Sequence, residues 1–159
     1  MTTNLFPLLA FDAVLILAAL DDIRRLHISN LFPLAMVAFF VVHVALTGLS
    51  PDLWQHLVSF AAVLVVGMFL FARGLIGGGD AKLLASTALW FNLQGLWILL
   101  PAVTIVGGFI ALLLVMIRWM VPARATPGAK WAALRRRGPI PYAVPICVGG
   151  IMTAHLTGL

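Results

Sequence analysis

Gly77-Gly78-Gly79-Asp80-Ala81-Lys82 sets three glycines, a carboxylate and an amine at the edge of an apolar run. The chain has only five acidic residues, Asp12, Asp21, Asp22, Asp52 and Asp80. A second polar island, Asp21-Asp22-Ile23-Arg24-Arg25-Leu26-His27-Ile28-Ser29-Asn30, holds two of the others. Around these islands the chain is apolar: of 159 residues 63% are hydrophobic and 9% charged, and the mean hydropathy is +1.12. A soluble domain carries roughly a quarter of its residues charged. Polar side chains here are too few to cover a surface in water, so the expected fold is an all-α polytopic membrane bundle, one domain over residues 1–159.

A helix needs roughly 20 apolar residues to cross the hydrocarbon core. Leu5 to Leu20 is the first candidate, interrupted by Asp12; it lacks the basic start and small-residue cleavage site of a signal peptide and reads as a retained helix. Asn30 to Thr47 and Leu53 to Ala72 follow, separated by a short turn at Gly48-Leu49-Ser50-Pro51-Asp52. Ala81 to Ile117 is too long for one crossing, and Asn92-Leu93-Gln94-Gly95 divides it. The fourth segment, from about Asp80 to Asn92, would be only ~20 Å long and reads as a crossing with a partly sunken start rather than a re-entrant hairpin. Arg118 to Arg137, with Pro122, Pro127 and Gly128, reads as an irregular or interfacial basic loop, and Tyr142 to Leu156 as the sixth segment. No internal repeat stands out.

Charge placement supports about six crossings. The loops around 21–30, 73–82 and 118–137 then fall on one side and hold all ten Lys and Arg residues. Cytoplasmic loops retain Lys and Arg, so that side is inside and both termini are outside. A +5 charge spread between apolar runs, with no nucleic-acid motif beside it, reflects topology rather than RNA or DNA binding. The lone Cys147 excludes an intrachain disulfide and a CxxC zinc site.

On this topology Asp22 and Asp80 lie at the same membrane face. Two close carboxylates cannot both ionise easily and share a proton. The ionised one suits removal of a proton from water, the protonated one a hydrogen bond to a scissile carbonyl, with no cofactor and no metal. Gly77, Gly78 and Gly79 would let a substrate backbone approach Asp80 and allow strained dihedrals. Taken locally, the same residues are equally a turn closed by an N-capping aspartate.

Gly77-Gly78-Gly79-Asp80 with Lys82 resembles the GxGDxK motif of type IV prepilin peptidases, membrane-embedded GxGD aspartic proteases. The upstream island resembles the family pattern of Asp-[Leu/Ile]-Arg, a basic stretch and Ile-Pro-Asn. Aligning Ile28 and Asn30 puts the first catalytic aspartate on Asp22 rather than Asp21, and Ile140-Pro141-Tyr142-Ala143-Val144-Pro145 resembles the start of the family's last helix. Ser29 stands where proline is usual and Ala143 where glycine is common. The resemblance implies catalytic Asp22 and Asp80, with Gly77, Gly78, Gly79, Lys82, Arg24 and Asn30 shaping the site or binding substrate. It implies a prepilin or pseudopilin partner, cleaved after a leader glycine at the cytoplasmic face of a bacterial inner membrane. The cysteine-rich domain of the bifunctional members is missing, so the chain resembles the short, peptidase-only Flp (tight-adherence) branch, without methyltransferase activity.

The remaining polar residues have plainer readings. Asp21 points about 100° away from Asp22 on a helix, so both do not line one site. Asp12 reads as a polar contact between helices. Asp22, His27 and Asp80 offer three possible metal ligands but no second histidine at metal spacing. Lys82 is set to meet lipid headgroups or substrate rather than Asp80, and the tryptophans read mostly as interfacial anchors. The rival function classes are a small proton-coupled transporter or channel relaying through Asp12, Asp22 and Asp80, and a non-catalytic pilus assembly subunit.

Overall fold

The computed structural model describes residues 5–120 and 141–158. Among them the chain forms six helices and no strand: α1 Leu5–Arg25, α2 Leu31–Thr47, α3 Leu53–Ala72, α4 Gly78–Ala88, α5 Leu93–Met120 and α6 Ala143–Thr157. α3 packs most extensively on α4, α5 on α6, and α1 on both α6 and α2. Two helical stretches, Leu53–Ala72 and Leu93–Ile117, are long and apolar enough to cross a membrane, whereas α2 and α6 are apolar but shorter.

Large apolar side chains point outward along most of the bundle, among them Leu17, Val41, Val65, Phe69, Ile105 and Phe109. In water such surface would drive association; in lipid it is the ordinary exterior. The interior is closed by small residues that let backbones approach. A Cβ on Gly149 of α6 would lie 2.8 Å from the Val103 backbone nitrogen of α5, and one on Gly67 of α3 would lie 3.1 Å from the Ala81 Cβ of α4.

α4 is the central helix. Ala81, Leu83, Ala85, Ser86, Thr87 and Ala88 are all buried, which is how a helix without one dominant apolar stripe is accommodated. The hydroxyls of Ser86 and Thr87 donate back to the Leu83 carbonyl at 2.9 and 2.8 Å, so neither is left unpaired. Beyond Ala88 the chain makes one more turn through Trp90 and Phe91, then reverses at Asn92. The Asn92 side chain caps α5 by accepting from the Gly95 N–H at 2.8 Å.

Three boundaries differ from those read in the sequence. The first polar island is not a loop after a helix: α1 continues through Asp21, Asp22, Arg24 and Arg25, and stops only at Leu26, whose φ of 53° is left-handed. Helices commonly end on such a residue, although glycine is the usual occupant. α4 has 11 residues, hence a length of about 16 Å, shorter than the expected crossing, and it begins at Gly78 so that Asp80 is already helical. α5 carries Pro101 within it and runs on to Met120, with no proline or glycine between Ile117 and Met120, so Arg118 to Met120 is helical rather than irregular. The rest of the expected basic loop lies outside the described residues.

The tryptophans also divide. Trp54, Trp97 and Trp119 are exposed, as interfacial anchors would be, but Trp90 is only 3% exposed. It packs edge-on to Phe11 and Phe40, and its Nε1–H donates to the Met36 carbonyl at 3.2 Å. Trp131 lies outside the described residues.

Candidate active site

Asp22 owes its position to the period of α1. Phe11, Leu15 and Ala18 are fully buried at helical spacing, and Asp22, 4% exposed, is the next residue on that stripe. Asp21, the neighbouring residue, faces away and pairs with Arg25 one turn later at 2.9 Å. The buried Asp22 carboxylate accepts a hydrogen bond through Oδ2 from the Ala143 N–H, at 3.0 Å, where α6 begins.

Asp80 is the third residue of α4 and its carboxylate turns back over the backbone of Gly77, the N-cap. The three glycines then have three separate reasons. A Cβ on Gly77 would collide with Asp80 Oδ2. One on Gly78 would lie 3.2 Å from the Phe71 ring, and one on Gly79 would lie 3.0 Å from the Ile28 Cβ and 3.2 Å from the Ile28 carbonyl oxygen. The last contact is what brings the two islands together. Strained dihedrals are not among the reasons: Gly77 is extended at φ −73° and ψ 145°, and in this loop it is Gly74, at φ 70°, that uses the left-handed region.

Asp22 and Asp80 line one open cavity of about 860 Å³. His27, Asn30, Lys82 and Tyr142 supply the rest of its polar wall, while Leu26, Phe71 and Leu75 supply an apolar one. Lys82 Nζ donates to Asn30 Oδ1 at 3.2 Å, a second tie between the islands. Of the residues singled out in the sequence, Asp22, Asn30, Gly77, Gly78, Gly79, Asp80 and Lys82 meet at this cavity; Arg24 stands exposed on the last turn of α1 and does not line it.

Both carboxylates lie in the polar islands, outside the apolar segments, and both hold protons more tightly than an ordinary aspartate. Burial, then the nearby charge of Asp22, pushes Asp80 up to about 6 against the opposing Gly77 N–H. Burial also raises Asp22, with the Ala143 N–H pulling the other way; Asp21 adds to the rise and His27 reduces it. The arrangement can hold one proton between two carboxylates beside a water-accessible wall. Among the described residues no three His, Cys, Asp or Glu side chains converge as metal ligands.

Asp12 is elsewhere, and its Oδ2 lies 3.4 Å from His155 Nε2, so it joins α1 to α6. Residues the sequence did not single out for the site are Leu26, Phe71, Leu75 and the Ala143 N–H. The first three carry no motif, and a backbone donor leaves no residue-type signal, although Tyr142-Ala143-Val144-Pro145 does mark where a helix starts.

A family model described as the type IV leader peptidase family matches residues 9–116, a stretch that contains both Asp22 and Asp80. No curated protein and no solved structure matches the chain. The match spans most of the sequence and ends before α6. With its helical fold and apolar exterior, the chain is thus a membrane protein of peptidase type, and it belongs to the type IV leader peptidase family.

Proposed function

We propose that this chain is an aspartic endopeptidase that removes the leader of Flp-like type IV prepilins or pseudopilins at the cytoplasmic face of the bacterial inner membrane. The observation that carries the reading is that Asp22 and Asp80, far apart in sequence, line one cavity with interacting charges. An electrically coupled carboxylate pair is a device for activating water against an amide, and it requires neither cofactor nor metal. In this reading Gly77, Gly78, Gly79, Asn30 and Lys82 shape the site, and exposed Arg24 meets substrate or headgroups at its rim.

The protein acts as one integral membrane domain with six crossings and both termini outside. Support comes from the placement of all ten basic residues in or next to three connections, those after α1, α3 and α5, which six crossings put on one side. The short α4 is the innermost of the crossings and starts from a sunken cytoplasmic mouth, where the bilayer is locally thin. Cleavage follows a leader glycine, with the hydrophobic helix of the pilin lying along the apolar exterior. These residues hold one cysteine, Cys147, and no CxxC pair, and the reading is of leader cleavage alone, as in the short peptidase-only branch, without methylation.

A proton relay from Asp12 is less well supported, since Leu15 and Ala18, both buried and apolar, occupy the α1 stripe between Asp12 and Asp22. The test is cleavage of a Flp-type prepilin by the purified protein in liposomes, with products identified by mass spectrometry. Asp22→Asn and Asp80→Asn should each lower the rate by about 10²-fold or more, the usual weight of a general acid or base. Thorough chelation should leave wild-type cleavage intact. Wild-type rates from either variant would refute the pair.

A further inference from the structure

Asp22 receives its hydrogen bond from the far end of the chain. Ala143, fully buried, is the first residue of α6, and its N–H is one of the donors that a helix cannot satisfy internally. Tyr142, the N-cap residue, makes no side-chain capping bond, and the Ala143 N–H is instead satisfied by Asp22 Oδ2. α6 is therefore capped by a carboxylate of α1, across the bundle, in a buried setting where a charge-assisted bond is strong. Both aspartates sit over a helix N-terminus, so the helix dipoles do not distinguish them. What distinguishes them is that Asp22 holds a 3.0 Å bond from a separate helix, whereas Asp80 turns back onto its own N-cap and faces Asp22 across the cavity.

Building on the peptidase reading above, we propose that the first turn of α6 is a positioning element that holds Asp22 as the ionised member of the pair, leaving the shared proton on Asp80. Ala143 acts through Asp22, by way of a backbone N–H that Gly or Ala supplies equally well. The roles then divide. Asp22 takes a proton from water as its oxygen attacks the scissile carbonyl carbon, and Asp80 gives its proton to the carbonyl oxygen. In the collapse Asp80 recovers a proton from one of the two hydroxyls, Asp22 delivers its own to the leaving nitrogen, and the C–N bond breaks. Water is consumed, and both aspartates return to their starting states. The other ionisable groups near Asp22 are Asp21, paired with Arg25, and His27, with Asp80, Lys82 and Tyr142 on the cavity wall; changes at Ala143 alter none of them.

Ala143→Pro removes the N–H at a first helical position, where proline is otherwise well accommodated, and Ala143→Gly keeps it. Cleavage rates of the reconstituted variants are read as kcat/KM against pH. Ala143→Pro should lose about tenfold or more, the scale of one hydrogen bond to a charged acceptor. Its acidic limb should move to higher pH, because Asp22 becomes harder to ionise; Ala143→Gly should superimpose on wild type. A wild-type profile shape in Ala143→Pro, or an equal shift in Ala143→Gly, overturns the proposal. If the proline variant loses helix content, lactic acid built in at position 143 replaces the amide by an ester without adding a ring. The same shift is then expected, and an unshifted profile overturns the proposal. Wild-type cleavage by Asp22→Asn or Asp80→Asn would instead defeat the peptidase reading itself, so the two failures are separable.

Discussion

The C-terminal end of α4 is closed by aromatic rings, whereas its N-terminal end opens on the cavity. At the closed end Phe11 stacks edge-on against Trp90 and Phe91, with ring centroids 5.4 and 5.8 Å apart, and Phe40 meets Trp90 at 5.6 Å. Such pairs add to the burial of large apolar area. At the open end the islands meet through Gly79 on Ile28 and through Lys82 on Asn30. One helix thus has an end that anchors the bundle and an end that holds two carboxylates in register. Stability and activity should separate along it.

The sharpest attempt to break that division is Phe11→Ala. It removes a fully buried ring from the closed end and should cost about 3–5 kcal/mol of unfolding free energy, read by thermal or denaturant unfolding in detergent. Protein that remains folded should cleave at a rate close to wild type. A selective loss of activity without a loss of stability would mean that the ends are not separable.

Gly79→Ala makes the opposite test. The added Cβ meets the Cβ and carbonyl oxygen of Ile28, so the islands must part. Overpacking of this kind costs about 1–3 kcal/mol, but the cleavage rate should fall by more than that stability loss explains. Ile28→Ala should not restore it, because both atoms in the contact remain. Full rescue would show that the side chain beyond Cβ, not the approach of the backbones, sets the register.

The smallest effect is that of pH on the pair. Asp80, raised from 3.8 to about 6, binds more protons in the folded than in the unfolded chain, so its contribution to stability is lost as pH rises through that window. The singly protonated pair is lost in the same direction, and the cleavage rate should decline as pH climbs past about 6. Asp80→Asn should flatten the stability profile there.

Much of this was legible in the sequence because membrane solvation makes apolar length and charge placement informative. The bundle of helices and the two islands follow from residue types and spacing, whereas the preference for Asp22 over Asp21 rests on the family resemblance aligned at Ile28 and Asn30; the buried stripe Phe11-Leu15-Ala18-Asp22 puts Asp22 on the interior face of α1. The three glycines do line the cavity, but the strained dihedrals expected of them are not found. Gly79 is small because Ile28 packs on it, a contact between segments that no local pattern reveals. The end of α1 was misplaced because Leu26 takes a left-handed conformation normally signalled by glycine. Lys82 bonds Asn30, not visible from either island alone.

The central claim is that the two islands make one site, and a titration tests it without any substrate. Asp80 would be followed by infrared or carbon-13 spectroscopy of labelled carboxyls in the wild type and in Asp22→Asn. In the wild type it should keep its proton to about 6. Removing the Asp22 charge should lower that value toward, but not to, the ordinary aspartate range, since burial remains. An Asp80 titration unmoved by Asp22→Asn would contradict the account.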